Sequence, residues 1–213
     1  MELITELGQY IAENFTQLLS LTGTHILMVF YGIGLALLIG FPLGVLAAKF
    51  EKLAPLILSL TNILQLIPSI AMLAIIMLYL GLGIETMVVG IFFYSLLPIV
   101  RNTYVGIKEV EEGILEAGIG VGMTPLQVLM KVQFPLSIPF LMAGLRVASV
   151  IAVAVACLGP YIGASGLGEE IISGINFRDN VKIYAGVIPA SLLAIIADVV
   201  LGNIEKRTKK RLA

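Results

Sequence analysis

Residues 116–135 read EAGIGVGMTPLQVLMKVQFP, a glycine-studded and partly polar stretch in a chain that is 59% hydrophobic. A glycine cluster beside a helix start can cradle phosphate, but the register here is wrong for it. Gly118, Gly120 and Gly122 alternate strictly, and Met123 stands where a dinucleotide-binding pattern needs its third glycine. GASGLG at 163–168 is a similar decoy, and no phosphate loop ending in Gly-Lys-Ser/Thr occurs in the chain. The local chemistry describes two short helices and a bend. Val110, Ile114 and Ala117 recur at helical spacing on one side, with Glu109, Glu112 and Glu116 on another. After the glycines, Thr124 suits an N-cap, Pro125 the first helical position and Gln127 the third, which completes a capping box, and Met123 and Val128 occupy the positions of a hydrophobic staple. This second helix presents Leu126, Leu129 and Met130 on one face and is expected to end near Pro135. Two turns are marginal in water, so something must hold them, and the segment has the form of a docking knob.

On both sides of this stretch the chain is too apolar for a soluble domain. Its 213 residues have a mean hydropathy of +1.04, 13% charged residues and no Trp. A hydrocarbon core about 30 Å thick takes about 20 apolar residues per helix, and five runs qualify: 25–48, 53–80, 86–105, 136–158 and 183–204. The fold class is therefore an all-α integral membrane protein of about five transmembrane helices, in one domain over 1–213. The second run is overlong and carries Pro68 near its middle, so it is expected to bend and to face protein or a water-filled path. Asn62, Gln65, Pro68 and Ser69 are the candidates for lining that path. Residues 1–24 have no positive leader-like region and form an amphipathic external segment through Ile4, Leu7, Ile11, Phe15, Leu18 and Leu19. Cys157 is alone in an apolar run, which implies neither disulfide nor metal chemistry, and the net charge of -1 gives no sign of nucleic acid.

Basic residues set the orientation, because short cytoplasmic loops are enriched in Lys and Arg. Lys49, Lys52, Arg101, Lys108, Lys131, Lys206, Arg207, Lys209, Lys210 and Arg211, ten of the 13 basic residues, fall on one side of a five-span chain. Arg178 and Lys182 fall on the other, and Arg146 lies within a span. The acidic amino terminus (Glu2, Glu6, Glu13) is then outside, the basic tail 205–213 inside, and the loop 106–135 cytoplasmic.

With that topology, Glu116-Ala117-Gly118, then Gly122 after three residues, then Val132-Gln133-Phe134-Pro135 after nine more, resembles the cytoplasmic signature of ABC importer permeases: Glu-Ala-Ala, three residues, Gly, nine residues, Ile-x-Leu-Pro. Every spacing is kept. Gly118 replaces the second Ala, and Val132 and Phe134 replace Ile and Leu. LLPIVRNTYVGI at 96–107 and IGASGLGEEI at 162–171 are similar to the osmoprotectant branch, which imports glycine betaine, carnitine, choline and related quaternary amines.

The resemblance implies a permease subunit that performs no covalent chemistry, in a bacterial plasma membrane. Glu116, Ala117, Gly118, Gly122, Thr124, Pro125, Leu126, Leu129, Met130 and Pro135 would couple it to separate cytoplasmic ATP-binding subunits, which hold the ATP and Mg. It also implies a second permease copy or paralogue and an external binding protein, with the loop 159–182 as its docking surface and gate. No Trp and scattered Tyr residues argue against a high-affinity aromatic cage in this chain. A permease for methionine or another amino acid is an alternative, as is an ATP-independent secondary transporter, although the latter would more often show internal repeats. Gly32, Gly34, Gly40 and Gly44 in the first span, with Ala143, Gly144, Ala148, Ala152, Ala154 and Ala156 in the fourth, suit close helix packing. Arg146 and Asp198 fall at similar depth in the inner half and are expected to pair, within or between subunits.

Overall fold

A computed structural model describes residues 2–212, which form helices joined by short turns, with no strand among them. Met1 and Ala213, the ends of the single-domain assignment, and the side chains of Glu2 and Arg211, counted towards orientation, lie outside the described residues.

The chain starts with α1 (Glu2–Glu13), breaks at Asn14 and continues as α2 (Phe15–Lys49), whose 35 residues reach about 52 Å at 1.5 Å each. Residues 15–24 therefore belong to the first spanning helix and not to a separate surface segment. Their polar side chains do not break the helix because they bond back onto it: Thr22 Oγ1 donates to the Leu18 carbonyl at 2.7 Å and Thr24 Oγ1 to that of Ser20 at 3.1 Å.

The second apolar run is broken, a sharper departure than the bend expected of it. α3 (Ala54–Leu66) and α4 (Ser69–Leu80) meet at 98°. Ile67 and Pro68 between them are extended, with ψ of 130° and 135°, and the proline ring disfavours helical backbone at its predecessor Ile67. At about 20 and 18 Å, neither half crosses a 30 Å core alone, so the pair makes one broken crossing or a re-entrant turn. The Ile67 carbonyl, which has no helical partner, accepts a hydrogen bond from the Tyr94 hydroxyl on α5 (Ile84–Lys108), while Gln65 Nε2 donates to the Tyr94 carbonyl at 3.5 Å.

Beyond α5 come α6 (Glu112–Gly120), α7 (Pro125–Val128), a π-helical turn at Leu129–Gln133, α8 (Phe134–Ala156), a 3-10 turn at Gly159–Ile162, α9 (Gly168–Phe177) and α10 (Asn180–Leu212). α2 packs along α5, α5 along α8, and α8 along α10. Small residues set these approaches: a Cβ on Gly44 would lie 2.5 Å from that of Thr103, and one on Gly144 would lie 2.6 Å from the Pro98 carbonyl. Gly34 is the exception in the first-span glycine set, since a Cβ there would meet nothing within 4 Å. Met28, Leu73, Met87 and Ile91 fill the core where α2, α4 and α5 meet. At one end of the bundle Lys108 bonds Glu51 at 2.8 Å, bringing the ends of α2 and α5 together beside the 109–135 connector. That ammonium holds the exposed Glu51 carboxyl below its ordinary pKa.

Candidate functional site

The connector between α5 and α8 folds as two helical pieces around a tight turn. α6 carries Glu116 and Ala117 exposed, while Gly118 is buried. A Cβ on Gly118 would meet Met123 Sδ at 3.6 Å and Val128 at 3.7 Å, ordinary contact, so the alanine of the resembled signature would fit. These contacts also bring both staple residues, Met123 and Val128, onto the same glycine. Gly122 has φ +83°, a left-handed turn that an L side chain resists. The capping box is complete: Thr124 Oγ1 accepts from the Gln127 backbone N–H at 3.3 Å, and Gln127 Oε1 from that of Thr124 at 2.8 Å, with Pro125 at the start of α7. Leu126 and Met130, one turn apart, stand 63% and 57% exposed, whereas Leu129 is half-buried and contributes less to that face. Ile119 and Val121 are also exposed at the turn. Sequence reasoning passed over these two, although their alternation with the glycines was a usable signal.

The capped helix does not end near Pro135, contrary to the sequence expectation. It passes through the π turn directly into α8, making one run of 32 residues, Pro125–Ala156. The Phe134 N–H reaches back five residues to the Leu129 carbonyl, and this wider turn lets the chain carry Pro135, which has no N–H to donate. Gln133 Nε2 ties the turn to the Ile107 carbonyl of α5 at 3.3 Å, and Phe134 packs edge-on to Phe41 of α2.

Arg146 and Asp198 meet within the subunit. Nε donates to Oδ1 at 2.5 Å and Nη2 to Oδ2 at 2.8 Å, a two-pronged guanidinium–carboxylate pair linking α8 to α10. Two more residues join it. Glu205 Oε2 lies 3.7 Å from Nη1, and a Cβ on Gly202 would sit 3.3 Å from Cζ, so the bare glycine backbone lets the guanidinium lie against α10. Positions 198, 202 and 205 share one helical face, a periodicity visible in the sequence once Arg146 is known to lie opposite.

The path candidates separate. Asn62 is exposed in a groove between α3 and α5; Gln65 turns to the Tyr94 backbone; Pro68 is exposed at the break; Ser69 is half-buried at the start of α4. At the opposite end of the bundle, much of 159–182 is packed rather than open. Glu170, 4% exposed, accepts from the Tyr10 hydroxyl at 2.7 Å and from Gln17 Nε2 at 3.3 Å. Burial, together with that carboxylate, pushes the Tyr10 phenol above its ordinary pKa. Tyr161, Ile175 and Phe177 are the exposed large hydrophobic side chains of the segment.

Residues 40–210 match the family described as "Binding-protein-dependent transport system inner membrane component". The chain belongs to this family of transport permeases. The permease is 44% identical over 207 residues to the glycine betaine/carnitine/choline transport system permease protein OpuCD of Bacillus subtilis, covering 97% of this chain and 90% of that one. It is 45% identical over 200 residues to the carnitine transport permease protein OpuCD of Listeria monocytogenes, covering 93% and 86%. The Bacillus subtilis choline transport system permease protein OpuBD shares 42% over 207 residues, covering 97% and 92%. In fold, the permease is similar to a chain of the MetNI methionine ABC transporter solved in inward-facing conformations, with a TM-score of 0.81 at 22% identity, covering 92% of this chain and 98% of that one. The permease is thus a multi-pass membrane protein whose connector stands where the sequence signature lies.

Proposed function

We propose that the permease is the membrane subunit of an ATP-driven importer for quaternary-amine osmoprotectants such as glycine betaine, carnitine and choline. The identity of 44% to OpuCD across nearly the whole chain carries this reading. The capped helix with Leu126 and Met130 exposed supports the coupling step, because an apolar face on a rigid short helix suits a groove in a partner. ATP and Mg belong to that cytoplasmic partner, and the permease itself performs no covalent chemistry. Its amino terminus lies outside and its basic tail inside, and it works with a second copy or a paralogue and with an external binding protein. Docking of the binding protein falls on Tyr161, Ile175 and Phe177, the exposed apolar side chains of the outer segment. Hydrolysis in the partner moves the connector, and the spans alternate access to a central path.

Co-expression with its ATPase subunits and reconstitution with binding protein tests the reading. Solute-stimulated ATP hydrolysis and uptake of labelled glycine betaine, carnitine or choline are the expected result. Leu126→Asp and Met130→Asp lower the stimulated hydrolysis by about tenfold or more while the spans stay assembled. Uptake that continues without any ATPase subunit overturns the coupling, and import of methionine in place of quaternary amines overturns the substrate class.

A further inference from the structure

Arg101 and Arg146 both lie on spanning helices, and their surroundings differ. Arg146 is neutralised from inside the chain by Asp198. Arg101, on α5, has no hydrogen-bonding or ionic partner among the described residues. It stands seven residues before Lys108, about 10 Å inside the end of α5 that the Glu51 ion pair marks. Arg101 faces a groove of about 330 Å³ between α3 and α5, lined by Pro55, Leu58, Ser59, Asn62, Leu97 and Arg101. The Ser59 hydroxyl and the Asn62 amide also lack partners among the described residues, so three unspent hydrogen-bonding groups line one groove from two helices.

An unneutralised guanidinium at this depth is costly against hydrocarbon, and its neighbours are polar on the very helix that breaks at Pro68. A water-filled path satisfies both observations. All that the site offers as charge is positive, and all its fixed N–H groups are donors, so it repels an ammonium head and suits a carboxylate held two-pronged by the guanidinium. We propose that Arg101, with Asn62 and Ser59, forms a carboxylate-recognising station in the translocation path, which favours solutes bearing a carboxylate over cations that lack one. This rests on the quaternary-amine reading above: glycine betaine and carnitine carry a carboxylate, and choline does not. One guanidinium with two neutral helpers holds the solute weakly, as transit requires. Among the path candidates read from the sequence, Asn62 is the one the station absorbs, and Arg101 moves from a topology marker to a specificity residue.

The test is uptake of labelled glycine betaine, carnitine and choline by the reconstituted importer at saturating solute, with retained ATPase subunit measured as the sign of assembly. Arg101→Gln is expected to slow glycine betaine and carnitine by about tenfold to a hundredfold while choline is unchanged or faster. Arg101→Lys keeps the charge without the fork and falls between. Equal slowing of all three solutes overturns the station in favour of a structural role. The same equal slowing confined to vesicles containing phosphatidylglycerol overturns it in favour of a lipid phosphate as the anion, and unchanged rates overturn it outright. A wild-type importer that moves none of the three removes the quaternary-amine reading as well, whereas a wild type that moves them with no solute-selective effect of Arg101→Gln removes the station alone.

Discussion

At the scale of single residues, Arg146 shows how a charge inside a span is made tolerable. Its fork is matched by Asp198, with Glu205 at 3.7 Å as a second carboxylate. Asp198→Asn takes away the close partner and is expected to lower the thermal stability of the detergent-solubilised permease, as is Arg146→Gln. The double variant is expected to be no worse than the poorer single one, because each change removes the same interaction. Additive losses measured by thermal melting would show that the two side chains act independently. This pair was legible in the sequence because both members are ionisable and fall at matched depth. Gly202 and Glu205 were not, since recognising them needs the facing of α10 against α8, which one-dimensional spacing leaves open. Tyr94 was missed for a related reason: its hydroxyl serves the Ile67 carbonyl, a partnership that forms across two elements 27 residues apart.

At the scale of elements, the connector is the part that local rules describe best. The capping box and the proline at the start of α7 each depend on residues within one turn, and the folded segment contains both. Its far boundary was hidden, because a proline ordinarily argues for a helix end and only a π turn carries the chain past Pro135. The two glycines of the signature segregate by backbone. Gly118→Ala fills ordinary contact space and is expected to leave solute-stimulated ATP hydrolysis intact. Gly122→Ala forces a side chain to φ +83°, at about 1–2 kcal/mol of strain, and is expected to reduce that stimulation without loss of the spans. A steady-state ATPase assay on the reconstituted complex distinguishes them, and equal behaviour of the two variants would contradict the turn geometry. The broken second run was half legible: Pro68 announced a disturbance, but its 98° angle depends on what α5 offers to the freed backbone.

At the scale of the whole molecule, five apolar runs were read from hydropathy, and four spanning helices with one broken pair fold from them. The amino-terminal boundary moved because Thr22 and Thr24 satisfy their hydroxyls on their own helix, which polarity counting treats as an exit from the membrane. The proposed orientation makes a direct prediction. With Cys157 replaced by Ala, a cysteine at Glu13 is expected to react with an impermeant maleimide added to intact cells, and one at Lys209 only after the membrane is opened. The reverse labelling pattern would invert the topology and with it the cytoplasmic placement of the connector.

The unbroken run Pro125–Ala156 also has a mechanical meaning. A rod of 32 residues is about 48 Å long, so a tilt of about 5° imposed at the capped tip displaces the other end by about 4 Å. That other end leads straight into the Gly159–Ile162 turn, where the Ile162 carbonyl accepts the Gly83 N–H at 2.8 Å at the threshold of α5. The run is continuous helix although it carries the π turn and Pro139, and it links a displacement on one face of the membrane to a bond on the other.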